Sequence, residues 1–326
     1  MDVIEWLLGD DNPSVRYYTL VDLLDRGADE LEVVDARKQI METGIVPAIL
    51  SSQQPGGYWG RPEDFYIRSK YFGTVWNLII LAQLGADGSD SRVISTCDFI
   101  LEWSMDPESG GYAYYGSQKG GHHKKILPCL TGNVIWSLMT LGYRGDVRIE
   151  KGIDWMCEHA RFDDGTTEPP SGWPYLMEKC WGRHTCHYGV VKMLKSLSAL
   201  PPGRRADSVN RTIDACVEFI LKHRIYRSSH DTDKTAMPEW LEFGYPRMWD
   251  TDILEVLHIL ADLGVRDPRM DDAISIIRSK MGPDGRWNNE RSFNGRFAVN
   301  IERKGRPGKW VTYRAMSLLK KLEKMD

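Results

Sequence analysis

Apolar residues recur at helical spacing in six stretches of this chain: VRYYTLVDLLDRG, GTVWNLIILAQLG, GNVIWSLMTLG, GVVKMLKSLSALP, TDILEVLHILADLG and VTYRAMSLLKKLEK. Each closes on a leucine step. The residues just beyond those steps, Asp25, Gly85, Gly142, Pro201, Gly264 and Glu323, are separated by 57 to 63 positions. A period this regular over the whole chain predicts a repeat architecture of six units. Each unit also carries a second helical stretch. In LGVRDPRMDDAISIIRSK, Gly264 ends one helix, and Asp267 caps the next with Pro268 in its first turn. LGADGSDSRVISTCDFILEW and LGYRGDVRIEKGIDWMCEHA read the same way. The second helices have one charged face and are expected outside. The first helices are more uniformly apolar and are expected inside.

Between units lie Gly-rich turns that carry an aromatic residue: QQPGGYWG, PESGGYAYYG, PPSGWPYL and GPDGRWNNE. Glycine supplies the backbone angles of a tight turn, and the aromatic ring plugs the gap between helix pairs. Twelve helices in six inner–outer pairs close naturally into a ring. The expected fold is therefore all-α, an α6/α6 toroid, with residues 1–326 forming a single domain around a central cavity.

Composition narrows the function classes. The chain has 326 residues and a formal charge of −4, which argues against nucleic-acid binding. Its first residues lack the cations of a signal peptide, and no apolar run is long enough for a membrane span, so a cytoplasmic protein is expected. The six cysteines are then expected as free thiols or metal ligands. Cys97, Cys157 and Cys216 lie within apolar helical patterns and are expected as small core residues. Twelve tryptophans are more than a core of this size needs, and they suggest an aromatic-lined cavity. No Gly-rich phosphate loop is present, so nothing suggests ATP or NAD.

The repeat with its QQPGGYW and GPDGRW turns resembles the terpenoid cyclase and protein prenyltransferase superfamily, where similar turns recur as Gln–Trp repeats. The resemblance covers nearly the whole chain and implies an apolar, isoprenoid small-molecule ligand in a central cavity, with prenyl-transfer or cyclase-like chemistry. Cyclases of that superfamily use an Asp-x-Asp-Asp acid at the start of an inner helix. Here MWDTDILEVL supplies Asp250 and Asp252, the latter in the acid's place, but Ile253 stands where the last Asp belongs. Either aspartate also suits a helix cap. Prenyltransferases hold a zinc ion with an Asp and a Cys at one inner-helix start and a His at the next. Cys129 and His184 match in type and lie 55 residues apart, about one repeat, while Leu127 replaces the Asp.

Within CWGRHTCHYG, a helical reading puts Cys180 and His187 on the side of His184 and turns Cys186 away. The expected zinc set is therefore Cys129, His184 and Cys180, with His187 as substitute. A cationic rim of His123, Arg183 and Arg247 would receive a diphosphate at the inner-helix starts. Trp181, Tyr188 and Trp249 would contact the apolar ligand. Two other classes stay open. One is a carbohydrate-active toroid using carboxylates from PEWLEFGYPRMWDTD; the other is a non-catalytic binding or scaffold protein. The sequence leaves the oligomeric state undetermined.

Overall fold

In the computed structural model the described residues are 2–66, 70–166, 168, 185–229 and 231–325. They are mostly helical, with two hairpins of two-residue strands, Gly116–Ser117 with Gly120–Gly121 and Asn288–Asn289 with Arg306–Pro307. The helices are numbered α1 to α13 in chain order. The six stretches singled out by periodicity form α2 (Pro13–Tyr18), α5 (Thr74–Gln83), α7 (Pro128–Leu138), α9 (His187–Ser198), α11 (Ile253–Asp262) and α13 (Lys309–Glu323). Two of them, α2 and α7, run on into π-helical turns, Thr19–Leu23 and Met139–Tyr143. The second helices are α3 (Leu31–Glu42), α6 (Ser91–Trp103), α8 (Val147–His159), α10 (Asp207–Lys222) and α12 (Asp271–Ser279). A short α4 (Ile45–Leu50) follows α3. The short α1 (Val3–Leu7) packs against α13.

Burial separates α5, α7, α9 and α11 from the second helices, while α2 and α13 are buried over only part of their length. Every residue of α5 from Thr74 to Ala82 is buried. By contrast, α6 buries one face, Val93, Thr96, Cys97, Ile100 and their neighbours. The inner helices pack in sequence: α5 on α7, α7 on α9, α9 on α11 and α11 on α13, which in turn packs on α2. One continuous hydrophobic cluster runs from Leu7 to Leu322. Cys97 and Cys216 lie inside it, and Cys157 packs against it half-buried. Burial pushes the Cys97 thiol up to about 12 and raises that of Cys216 as well. These thiols are thus packing groups, not nucleophiles.

Two local devices repeat along the chain. Three times the sequence reads Asp-x-Arg, at the starts of α6 and α8 and at the 3-10 turn Pro268–Met270 that leads into α12, so Asp267 caps that turn and not α12 itself, as the sequence had suggested. Asp90, Asp146 and Asp267 each accept the backbone N–H two residues on, at 2.9, 2.8 and 2.8 Å. Each also holds the guanidinium of that residue, Arg92, Arg148 or Arg269. The cap contributes about 1 kcal/mol per helix; the exposed ion pair adds little. In the turns before three inner helices, Trp59, Tyr112 and Trp287 donate their backbone N–H to Thr74, Thr131 and Thr312. The turns need glycine for a steric reason. Gly57 has φ +84°, and a Cβ there would lie 2.1 Å from the Ser95 carbonyl oxygen on α6. Gly110, also at +84°, would meet Lys151 on α8 at 2.7 Å.

The inner helix α13 is capped from a distance. Glu302 is buried, and its Oε1 accepts the Trp310 N–H at 2.7 Å. Burial pushes its carboxyl up to about 7, against the pull of the Trp310 and Val311 N–H groups. A folded-state value above the unfolded one means the folded chain holds the extra proton between about 4.5 and 7, so this group lowers stability as pH rises through that window. The expected result is that Glu302→Gln, which keeps an acceptor oxygen, gains on the wild type by up to about 3 kcal/mol between pH 5 and pH 8. Urea unfolding at the two pH values checks it; a constant difference contradicts it.

Candidate functional site

A cavity of about 360 Å3 is lined by residues of all six inner helices. Its walls include Tyr18 of α2, Gln83 of α5, Trp136 of α7, Lys195 and Ser198 of α9, Glu255 and His258 of α11, and Trp310, Tyr313 and Arg314 of α13. Tyr245 and Arg247 join them from the segment before α11. The lining is both aromatic and charged. Tyr245 stacks on Trp310 with centroids 4.1 Å apart and planes 6° from parallel. Lys195 Nζ sits 3.9 Å over the ring of Trp136.

The charges form a network at the start of α11. Asp252 is fully buried and caps the helix, its Oδ1 accepting the Glu255 N–H at 2.7 Å. Its Oδ2 lies 3.3 Å from Arg247 Nε, and Arg314 Nη2 approaches Oδ1 at 3.8 Å. Asp250, also fully buried, lies 3.5 Å from both Arg247 and Arg291. Arg247 is 1 % exposed. It donates Nε to the Gly244 carbonyl at 3.0 Å and exchanges backbone hydrogen bonds with the Gln83 side chain.

One turn along α11, Glu255 accepts Lys192 Nζ at 2.6 Å, Lys195 Nζ at 3.0 Å and the Thr251 hydroxyl at 2.8 Å. Burial alone would push the Glu255 carboxyl up. Lys192, Lys195 and Arg314 outweigh burial and hold it below the ordinary range. Burial lowers Lys195 to about 8 despite Glu255. His258 donates Nε2–H to the Arg314 carbonyl at 2.6 Å, and burial lowers it to about 3, so it is a neutral wall residue.

Three lining residues carry a buried polar atom with no hydrogen-bond partner among the described residues: Arg247 Nη2, Tyr245 Oη and Trp310 Nε1. Each can donate. Leaving such a group buried and unmatched costs about 1–3 kcal/mol, more when it is charged. These are donors without acceptors in the cavity wall, buried behind its surface rather than open to it.

The residues singled out in the sequence fall into separate places. Asp250, Asp252 and Arg247 come together as described. Of the four carboxylates that the carbohydrate-active alternative draws on, Asp250 and Asp252 are buried and held by arginines, which does not suit the open pair flanking a sugar, while Glu239 is half-buried and Glu242 exposed. Tyr188 and Trp249 meet edge to face at 5.3 Å, with Trp240 beside Tyr188 and Tyr71 within 3.5 Å of the Trp249 ring nitrogen. His123 is half-exposed and bound to Asp106 at 3.0 Å. Cys180, Trp181, Arg183 and His184 lie outside the described residues.

Cys129, at the second position of α7, belongs to no group of three candidate ligands among the described residues. His187 instead keeps company with Asp164 and His223. Sequence reasoning missed Lys192, Lys195 and Glu255. The signal was present, because each is a charge inside an otherwise apolar inner-helix pattern. It also missed Asp164 and His223, which lie in a loop and at a helix end with no periodicity to mark them.

No protein-family model matches the chain, and no curated protein matches it in sequence. Solved structures do. A protein from Actinoplanes is 13% identical, with 96% of this chain and 90% of that chain covered and a TM-score of 0.44. A variant of the type II terpene cyclase MstE from Scytonema, in complex with geranylgeranyl dihydroxybenzoate, is 15% identical over 97% of this chain and 88% of that chain, with a TM-score of 0.46. An apo form of another MstE variant is 15% identical over 99% of each chain, with a TM-score of 0.47. Among the described residues, no helix is long and apolar enough to cross a membrane.

Proposed function

We propose that this chain is an α6/α6 toroid of the terpenoid cyclase and prenyltransferase type whose central cavity takes an isoprenoid with an anionic head. The observation that carries the reading is the pairing of aromatic walls with unmatched donors. Trp136, Trp310, Tyr245 and Tyr313 offer ring faces to an apolar chain. Arg247, Tyr245 and Trp310 hold three buried donor atoms, unpartnered among the described residues, that a ligand's acceptor oxygens would reach on a local shift of the wall, and Lys195, Arg314 and Lys321 add positive charge in the same lining. Small-ligand sites span roughly 300–1,000 Å3, and this cavity lies at the small end, which favours a short prenyl chain. In this reading Asp252 is a structural anion. It caps α11 and fixes Arg247 and Arg314, which face the ligand's head.

Tryptophan emission reports binding, because Trp136 and Trp310 are wall residues. Farnesyl diphosphate is expected to quench it saturably. Farnesol and inorganic diphosphate, each carrying half of the chemistry, are expected to bind at least about tenfold more weakly. Equal affinity for farnesol removes the anionic head from the reading, and no saturable response to any of the three overturns it.

A further inference from the structure

Two turns of α9 from the cavity, the start of that helix meets a group the proposed ligand does not use. Asp164 lies in the segment after α8, His187 is the first residue of α9, and His223 caps the end of α10. One ligand atom from each lies within 4.8 Å of the others. Lys195, the nearest lining residue of α9, is eight positions on, a rise of roughly 12 Å.

The hydrogen bonds around this group leave something unanswered. His223 is 1 % exposed. Its Nδ1 lies 2.7 Å from the Phe219 carbonyl oxygen, so Nδ1 carries a proton and donates. A neutral ring then presents the Nε2 lone pair to Asp164 Oδ2, 3.1 Å away. Two acceptors face each other there, and a cation between them would resolve the clash. Lys222 Nζ, the other cation in range, is 4.0 Å from that oxygen on a side chain that is 68% exposed. The His187 ring makes no hydrogen bond among the described residues; its Nε2 is 3.9 Å from Asp164 Oδ1. Around the two imidazoles the packing is aromatic, with Phe219 and Trp240 edge-on to His187. A second proton on His223 would settle its own contact with Asp164 and leave His187 as it is. A single ion would satisfy all three side chains.

We propose that Asp164, His187 and His223 bind one divalent transition-metal ion of the zinc class, tying the ends of α9 and α10 to the segment after α8. The donor set is two imidazole nitrogens and a carboxylate oxygen, which suits zinc; calcium and magnesium prefer all-oxygen sets. The Phe219 carbonyl supplies the outer hydrogen bond that fixes the tautomer and aim of a ligating histidine. Three protein ligands leave a fourth tetrahedral position for water or a ligand atom. Of the zinc set expected from the sequence, only His187 is shared.

The test uses untagged full-length protein, stripped with chelator and titrated with zinc chloride by calorimetry, with metal content read by atomic emission. One equivalent per chain is expected, with a zinc-dependent rise in the thermal midpoint. His223→Gln and Asp164→Asn are each expected to weaken binding by about a hundredfold or more. His187→Gln, at a more exposed ring, gives the same result should either of those fail to fold. Cys129→Ala is expected to keep the full equivalent, and the cobalt-substituted protein to show tetrahedral visible bands without a thiolate charge-transfer band. A wild-type chain that binds no zinc overturns the proposal. So does loss of the metal in Cys129→Ala with retention in His223→Gln. Neither result touches the cavity reading, which rests on other residues.

Discussion

Arg247→Met should lower stability by about 3 kcal/mol, and thermal unfolding should show it as a fall of roughly 4–5 °C in the midpoint. The side chain is buried between Asp250 and Asp252, at 3.5 and 3.3 Å. Removing one partner of a buried ion pair costs about 3–5 kcal/mol, because the remaining charge keeps its desolvation penalty. The lower end applies here, since Asp250 retains Arg291 and Asp252 retains Arg314. Arg247→Lys should recover little. An ammonium cannot reach two carboxylates and the Gly244 carbonyl in the plane a guanidinium spans. A loss under 1 kcal/mol in Arg247→Met would mean that the network is not holding the start of α11.

Glu255→Gln should be as costly, about 3–5 kcal/mol at pH 7, for the opposite reason. It strands two cations. Lys192 is fully buried and Lys195 nearly so, and both point at Glu255. The sign of the pH dependence follows from the direction of the shift. The folded-state value of Glu255 lies below its ordinary 4.5. Its contribution is therefore complete above the unfolded value and is lost as pH falls below it. The variant should lack that acid limb. Towards alkaline pH its deficit should shrink as pH rises to about 8, because Lys195, which loses its proton at about 8 with Glu255 beside it, loses it earlier once Glu255 is gone, and the stranded charge is then halved. The double variant Lys192→Met, Glu255→Gln should recover part of the loss, since it removes one of the two stranded cations. Denaturant midpoints for the set at pH 7 and pH 9.5 decide the matter. A deficit that does not change with pH would contradict the charge argument.

How far these features could be read in the chain depends on whether they are local. The six inner helices follow from apolar spacing, and the Asp267 cap, with its Pro268, from three adjacent letters. The Gly-rich turns are equally local, because Gly57 and Gly110 need a positive φ and a close backbone approach. Asp252 shows the limit. Its sequence position suited either an acid or a cap, and only the structure supplies Arg247 and Arg314 beside it. Lys192 reads as an odd charge on an apolar helix until Glu255, 63 residues on, is seen 2.6 Å away. His187 drew notice through its neighbours in sequence, yet its partners in space come from 23 residues before and 36 after. Pairings at such separations leave no periodic trace. They are fixed by how successive helices pack, which apolar spacing implies only in outline.

The central claim is that an isoprenoid with an anionic head sits inside the six inner helices. A crystal structure of the chain with farnesyl diphosphate at saturating concentration tests it most directly. The account predicts the prenyl chain against Trp136, Trp310 and Tyr245, with the diphosphate oxygens on Arg247, Arg314 and Lys195. Ligand bound only outside the cavity these helices line, with water alone in the cavity, would contradict it.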